Sequence, residues 1–336
     1  MNEPGRYAID SKYLVPLAPR AKWDGWFAIS IFPGSAPVRW VKAHLYSRAC
    51  GEGLRPFSLV EGIGETSEVC IAWADRDSVH VRVSSLPEGR QRGSASPLLV
   101  DYGESFSFSG GWPDYRMTFA VPGGEASAGF DFHASWPIWW SKFGRMLQYV
   151  GQHSGVRVNL AGEGTSLNLE GFGVIEHVAG YAAPFDVTRV LPAHFHWDVL
   201  VFENAGPAAN SAAGLSFGAM GTTLVPLKAA ARLPHGEPRK MRGLWIRYLE
   251  TERGRDRAGN DIMFPVRWEG VMRSRAGTFR YVARAATPVA TIIPGGGMTG
   301  FDFEGRWVSK GRRPELLRGF GFNEYGDFSG GLLRLT

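Results

Sequence analysis

Hydrophobic residues in this chain come in short runs broken by turn formers. Trp26–Phe32, Val38–Tyr46, Val69–Trp73, Val79–Ser84 and Tyr115–Val121 are rich in β-branched and aromatic side chains, which favour a pleated backbone. Val79-His80-Val81-Arg82-Val83 alternates strictly, the period of a strand with one wet face. The second half repeats the style at Trp197–Phe202, Leu244–Leu249, Ile262–Trp268, Phe279–Ala283, Phe301–Phe303 and Leu332–Leu335. Pro33-Gly34-Ser35, Pro87-Glu88-Gly89 and Gly110-Gly111 lie between runs as turn signals. Short strands at regular spacing predict an all-β fold of sandwiches or closed barrels.

Two segments depart from this pattern. Trp139, Trp140, Phe143, Leu147 and Val150 recur at helical spacing after Trp136-Pro137, which predicts a helix over Pro137–Gln152. It would plug a barrel end or form an aromatic lid over a ligand. Gly206–Gly221 has little apolar bulk and reads as a loop.

Two phrases occur in both halves. Gly129-Phe130-Asp131-Phe132 returns as Gly300-Phe301-Asp302-Phe303, each after a Pro-Gly-Gly turn. Gly171-Phe172-Gly173 with Glu176-His177 returns as Gly319-Phe320-Gly321 with Glu324-Tyr325. Ordered repetition predicts one structural unit used twice, with domains at 1–185 and 186–336. The phrases lie 42 positions apart in the first half and 19 in the second, so the first carries 23 extra residues, where the helix is expected.

At 336 residues the chain can bury two cores. Its charge of +5 is scattered, without an aromatic and basic stripe, which argues against nucleic acid. Cys50 and Cys70 make no disulfide framework. Met1–Arg20 lacks an apolar signal core, and no apolar run is long enough to span a bilayer. The expectation is a soluble, cytoplasmic protein without stable membrane insertion, with a homodimer left open.

The phrase Gly171-Phe172-Gly173-Val174-Ile175-Glu176-His177-Val178-Ala179-Gly180 resembles the G-x-G-Y-x-[DE]-H-x-W-G phrase of the tandem lipocalin-like (calycin) family. That family includes carotenoid 1,2-hydratases, AttH-type proteins and decalin-forming Diels–Alderases. Gly171, Gly173, Glu176, His177 and Gly180 match, while Val174-Ile175 and Ala179 depart at the aromatic positions. Trp23-Asp24-Gly25-Trp26-Phe27 loosely matches its opening strand. The resemblance implies two tandem lipocalin-like β-barrels and an apolar polycyclic or isoprenoid-like ligand. It also implies hydration, isomerisation or ring closure with no cofactor.

Candidate chemistry follows from the repeat. Glu176 has a counterpart in Glu324 and reads first as a fold element, and Asp131 and Asp302 as turn or ladder residues. His177 is replaced by Tyr325 in the other copy, and imidazole can donate and accept protons near neutral pH. His194, His196 and Asp198 alternate on a strand and share a side. They form a polar row in a pocket or interdomain cleft, an ordinary wet face, or a weak metal set, and no metal is assigned. His177, Asp198, His196 and Glu176 are thus the catalytic candidates. Trp26, Trp139, Trp140, Phe143, Tyr181 and His194 are the candidates for holding substrate. Gly214-Leu215-Ser216-Phe217-Gly218 has the letters of a nucleophile elbow without its strand-turn-helix setting. The reading is a cofactor-independent hydratase, isomerase or cyclase acting on a hydrophobic small molecule. The alternatives are a non-catalytic carrier of such a molecule and a carbohydrate-binding β-sandwich.

Overall fold

The computed structural model describes residues 8–16, 23–32, 34, 36–48, 67–86, 92–136, 139–143, 147–180, 194–203, 211–220, 223–232, 239–256, 259, 261–292, 296–309 and 311–327. Among them, a 3₁₀ turn at Ser11–Tyr13 is the one helical element, and every other element is a strand. By their contacts the residues divide into two compact units. One is built on Met1–Phe32, Trp40–Trp73 and His80–Phe185, the other on Pro33–Arg39, Ala74–Val79 and Asp186–Thr336.

The first sheet has 12 strands. They are β1 (Trp23–Ile31), β2 (Trp40–Arg48), β3 (Ser67–Ala74), β4 (Val79–Leu86), β5 (Arg92–Ala95) and β6 (Leu98–Asp101), then β7 (Phe106–Gly111), β8 (Asp114–Val121), β9 (Ala126–Ala134), β10 (Trp139–Phe143), β11 (Leu147–Gly162) and β12 (Thr165–Gly180). Their order is β4-β3-β2-β1-β12-β11-β9-β8-β7-β6-β5, with β10 beside β11. The sheet curls. Trp26 on β1 meets Phe106 on β7 at a ring distance of 5.7 Å, although four strands separate them in the order. Phe119 and Phe130 continue this inward aromatic core. β8 and β9 alternate buried and accessible residues, whereas β3 is buried almost throughout. A strand covered on both faces needs a continuous apolar run, and Val69–Trp73 supplies one.

The second sheet has 9 strands. They are β13 (His194–Phe202), β14 (Ser211–Met220), β15 (Thr223–Arg232), β16 (Arg239–Met241), β17 (Leu244–Arg255), β18 (Asp261–Arg273), β19 (Gly277–Ala285), β20 (Gly296–Ser309) and β21 (Glu315–Asp327). The order is β14-β13-β21-β20-β19-β18-β17-β15-β16, and β14 also pairs β15. That extra pairing closes the strands from β14 to β15 into a ring, with β16 beside β15, and closure leaves those strands without an open edge. Its core packs Phe202, Trp268, Phe279, Tyr281, Phe301 and Phe303.

Two expectations change. The described residues of 137–152 are strand rather than helix: β10 and β11 pair antiparallel there, with Trp139 opposite Gly151 and Phe143 opposite Leu147. β11 also pairs β12 and β9, and this non-local ladder outweighs local aromatic spacing. Gly206–Gly221 contains β14 rather than a continuous loop. Backbone groups make a ladder without bulky side chains, and this one is irregular around Ser216. The Gly214–Gly218 phrase lies within that strand. Leu332–Leu335 lies outside the described residues.

The two repeated phrases fare differently. β1 meets β12 with Trp26 opposite His177 and Phe27 opposite Glu176. β13 meets β21 with His196 opposite Tyr325 and Trp197 opposite Glu324. The glycine-phenylalanine-glycine phrases therefore sit in one register against the strand that opens each sheet. The GFDF phrases do not correspond in this way. The second lies on β20, directly beside β21, with Phe301 opposite Gly321. The first lies on β9, with β11 between it and β12. The 23 extra residues supply this intervening strand. Asp131 and Asp302 are strand residues, and Asp131 lies 3.7 Å from Arg116 on the neighbouring strand.

Candidate functional site

Three clusters of buried polar groups could carry chemistry. The first lies on the inward face of the first sheet. Alternation puts Asp24 and Trp26 on the same side of β1, and the ladder sets Trp26 opposite His177. The Trp26 ring stacks on His177 at 4.8 Å and 20°, and its Nε1–H donates to the Leu14 carbonyl at 2.8 Å. His177 Nδ1 is 2.6 Å from the Tyr13 carbonyl, and Nε2 is 3.1 Å from Asp24 Oδ1. The ring thus bridges the Tyr13 carbonyl and the Asp24 carboxylate. The pair thereby pins the Ser11–Tyr13 turn over β1 and β12. Nearby, burial pushes the Tyr102 hydroxyl well above its ordinary pKa.

The second cluster is the centre of the second unit. Asp198 is completely buried. Its Oδ2 accepts from Trp268 Nε1 at 2.9 Å and from the Tyr281 hydroxyl. Its Oδ1 accepts from Asn323 Nδ2 at 2.9 Å and lies 3.0 Å from His196 Nε2. His196 Nδ1 in turn lies 3.2 Å from the Tyr248 hydroxyl. Burial first, and then the Asp198 charge, raises the Tyr281 pKa well above its usual value. Three donors and the His196 ring around one carboxylate form a closed, satisfied network, the kind that fixes a core. His177 and Asp198 each close on partners from their own unit. Among the described residues no group of three or more His, Cys, Asp or Glu could hold a metal ion.

The third cluster was largely missed in the sequence. It lies on the other face of the first sheet, the side to which Phe27 rather than Trp26 points. Three rungs cross β2, β1, β12 and β11 there. The first rung reads Tyr46, Gly25, Val178, Tyr149, and the second reads His44, Phe27, Glu176, Gly151. The third reads Lys42, Ile29, Val174, His153. Exposure falls along them. Tyr46, Val178 and Tyr149 are half-buried, Phe27 and Glu176 are each 7% exposed, and Lys42 is 1% exposed.

Two glycines shape this face. A Cβ on Gly151 would lie 2.6 Å from the Tyr149 hydroxyl, and one on Gly25 would lie 2.8 Å from the Phe27 ring. Their absence lets both rings lie along the sheet, and it places the Tyr149 hydroxyl to donate to Glu176 Oε1. Around Phe27 sit Lys42 Nζ, 5.3 Å from the ring centre, and the His44 and Tyr46 rings at 5.7 and 5.3 Å. His44 Nε2 is 3.7 Å from Glu68 Oε1 on β3. His153 lies between the rings of Trp136 and Phe172 at 4.7 and 5.2 Å. Burial holds its pKa down at about 3, so this ring is neutral near pH 7. The face thus combines an aromatic floor, a carboxylate bonded to a phenol, a lysine and an imidazole–carboxylate pair.

Glu176 is the one predicted catalytic residue on this face. Trp26 is instead a fully buried inward residue. Trp139, Trp140 and Phe143 lie on β10 and His194 begins β13, but their side chains lie outside the described residues, as does the whole of Tyr181. Lys42, His44 and Tyr46 carried a sequence signal of their own: they alternate within the predicted strand Val38–Tyr46 and so share a side. Tyr149 and His153 were hidden by the helical reading of Pro137–Gln152.

No known family's sequence profile matches the chain, and no curated protein matches it. Solved structures do. An AttH-type protein of Nitrosomonas europaea superposes with a TM-score of 0.59 at 11% identity, covering 93% of this chain and 97% of that one. Kievitone hydratase of Nectria haematococca gives 0.56 at 11% identity, covering 90% and 88%. CghA solved with Sch210972 gives 0.54 at 12% identity, covering 91% and 88%. The fold is the lipocalin-like one of these proteins. At such identities the likeness concerns backbone architecture and carries no residue roles. Among the described residues no helix is long and apolar enough to cross a membrane.

Proposed function

We propose that this chain is a cofactor-independent enzyme of hydratase, isomerase or cyclase type acting on an apolar terpenoid-, steroid- or polyketide-like substrate, with Glu176 moving the proton. The observation that carries this reading is the second rung. It places a nearly buried carboxylate, hydrogen-bonded by Tyr149, beside the Phe27 ring on a face lined with further titratable groups. A site for such ligands needs apolar walls and a few placed polar groups. General acid–base transfer then contributes about 10²–10⁴-fold to the rate. Among the structures sharing the fold, one is named as a hydratase and another was solved with a bound small molecule, which supports an apolar-ligand enzyme over a sugar binder. His177 serves the site indirectly, by holding β12 against β1 from the opposite face.

The test incubates the protein with a panel of prenylated phenols, polyenes and terpenoid alkenes in D₂O and in H₂¹⁸O, followed by mass spectrometry. A hydratase adds one water carrying the label. An isomerase returns substrate of altered retention with deuterium incorporated, and a cyclase returns an isomer without exchange. Ligand binding without turnover in any arm would make the protein a carrier and end this reading. Turnover that survives Glu176→Gln at the wild-type rate would remove Glu176 from it.

A further inference from the structure

Charge on the second sheet is sorted along its strands. Over much of their length acids and bases are matched. Glu269 pairs Arg247 and Arg280, Glu250 pairs Arg267 and Arg284, Glu304 pairs Arg318, and Asp261 pairs Arg255. The end where β17 and β21 begin and β18 and β20 finish is different. Arg242 precedes β17, Arg273 and Arg275 flank the β18–β19 turn, Arg306 is near the end of β20, and Arg312 and Arg313 follow it. All six are exposed, and among the described residues none of them is in an ion pair. Arg306 even stands opposite Arg280, a like-charge pairing that costs a sheet stability. Glu203 and Glu315 are the described acids near this end. The charge that looked scattered along the chain is gathered here by the turns.

The same end exposes apolar side chains. Trp245, Val308 and Leu316 are 42%, 48% and 55% exposed, and each is the second residue in from its strand end. Trp245 and Leu316 close the two ends of one rung, Trp245, Val271, Arg280, Arg306, Leu316. Val308 is two residues nearer the turn, so the three stand within about 7 Å of one level. Their neighbours Leu244 and Leu317 are buried, so alternation turns these three away from the core.

We propose that this end of the second unit docks reversibly on an anionic lipid surface, with the arginines on lipid phosphates and Trp245, Val308 and Leu316 in the boundary between headgroups and acyl chains. Charge selects the partner, because clustered arginines are drawn to an anionic leaflet and grip phosphate with two N–H groups at once. The apolar band selects it further. Such side chains gain by entering a membrane interface, whereas a nucleic-acid strand calls for aromatic platforms in series. Apolar substrates of the proposed class dissolve in the same bilayer, but the docking is independent of the reaction at Glu176.

The full chain is sedimented with sucrose-loaded vesicles of phosphatidylcholine alone, or of phosphatidylcholine mixed equally with phosphatidylglycerol. Partition to the anionic vesicles is expected to be at least about tenfold tighter and to weaken as salt rises. Arg312→Glu with Arg313→Glu should remove that preference. The same charge change at the far end, Arg253→Glu with Arg255→Glu, should leave it within about twofold. Trp245→Ser with Leu316→Ser should weaken binding severalfold and leave its salt dependence unchanged. Equal partition of the wild-type protein to both vesicles, or none to either, overturns the proposal whether or not the variants fold. Equal losses from the two arginine pairs overturn it too, since net charge would then suffice, and so does anionic binding that ignores the loss of Trp245 and Leu316. Tighter retention of a DNA or RNA oligonucleotide than of anionic vesicles overturns it in favour of a nucleic-acid partner.

Discussion

Glu176 and Glu324 occupy the same rung of two sheets laid out in one register, yet their neighbours differ at almost every position. The rung through Glu176 reads His44, Phe27, Glu176, Gly151, while the rung through Glu324 reads Leu215, Trp197, Glu324, Met298. On the next rung, Lys42 and His153 stand where the second sheet has Ala213 and Gly300. The inward faces reverse the contrast. Ala28 and Ile175 oppose each other in the first sheet, where the second has Asp198 and Asn323. One backbone scheme thus carries a closed polar core in one unit and a row of titratable groups on the other face of the other. The shared glutamate is compatible with both, so under the proposed function it is its neighbours, and not its presence, that single out the first sheet.

The sharpest way to break this contrast is to change each glutamate in turn. Glu176→Gln is expected to lower kcat by about 10²–10⁴-fold, while Glu324→Gln leaves it within about twofold. Equal effects measured on the labelled products would dissolve the distinction. Next comes the polar core of the second unit. Asp198→Ala leaves the Trp268, Tyr281 and Asn323 donors buried without their acceptor, a change of about 3–5 kcal/mol in unfolding free energy. A denaturation midpoint close to wild type would show that Asp198 does not hold this core.

The third prediction concerns pH. The folded His153 pKa, about 3, lies below the ordinary 6.5, so the unfolded chain binds the extra proton between those values. Its contribution is complete above about pH 6.5 and is lost as pH falls toward 3, amounting to a few kcal/mol. Replacing it in His153→Phe should flatten that part of the stability profile in urea titrations at stepped pH. An unchanged slope would mean that the ring is protonated in the folded protein. The smallest effect is expected for Gly151→Ala. The new methyl displaces the Tyr149 ring and removes one hydrogen bond to Glu176, costing about tenfold in kcat. Activity equal to wild type would separate Tyr149 from the reaction.

The alternating and continuous apolar runs made the strands legible, because side-chain direction repeats every two residues and depends on nothing distant. The same local rule puts Lys42, His44 and Tyr46 on one side. It failed at Pro137–Gln152, where aromatic spacing fits a helix, and at Ser211–Met220, where a strand is built from small residues with few apolar anchors. It also could not separate two kinds of repetition. The glycine-phenylalanine-glycine phrases coincide in register, but the GFDF phrases lie on strands at different distances from them.

Taken alone, the order of residues settled that this is a β protein, which positions along each strand share a side, and that Glu176 recurs as Glu324. Only the folded sheet decided that Lys42, Phe27, Glu176 and His153, drawn from four strands, stand side by side, and that His177 turns its back on them. The reason is that facing is set within a strand by covalent geometry, whereas adjacency is set by which strands pair. That pairing is chosen by backbone hydrogen bonds and core packing, which for β1 and β12 join residues as distant in sequence as Phe27 and Glu176.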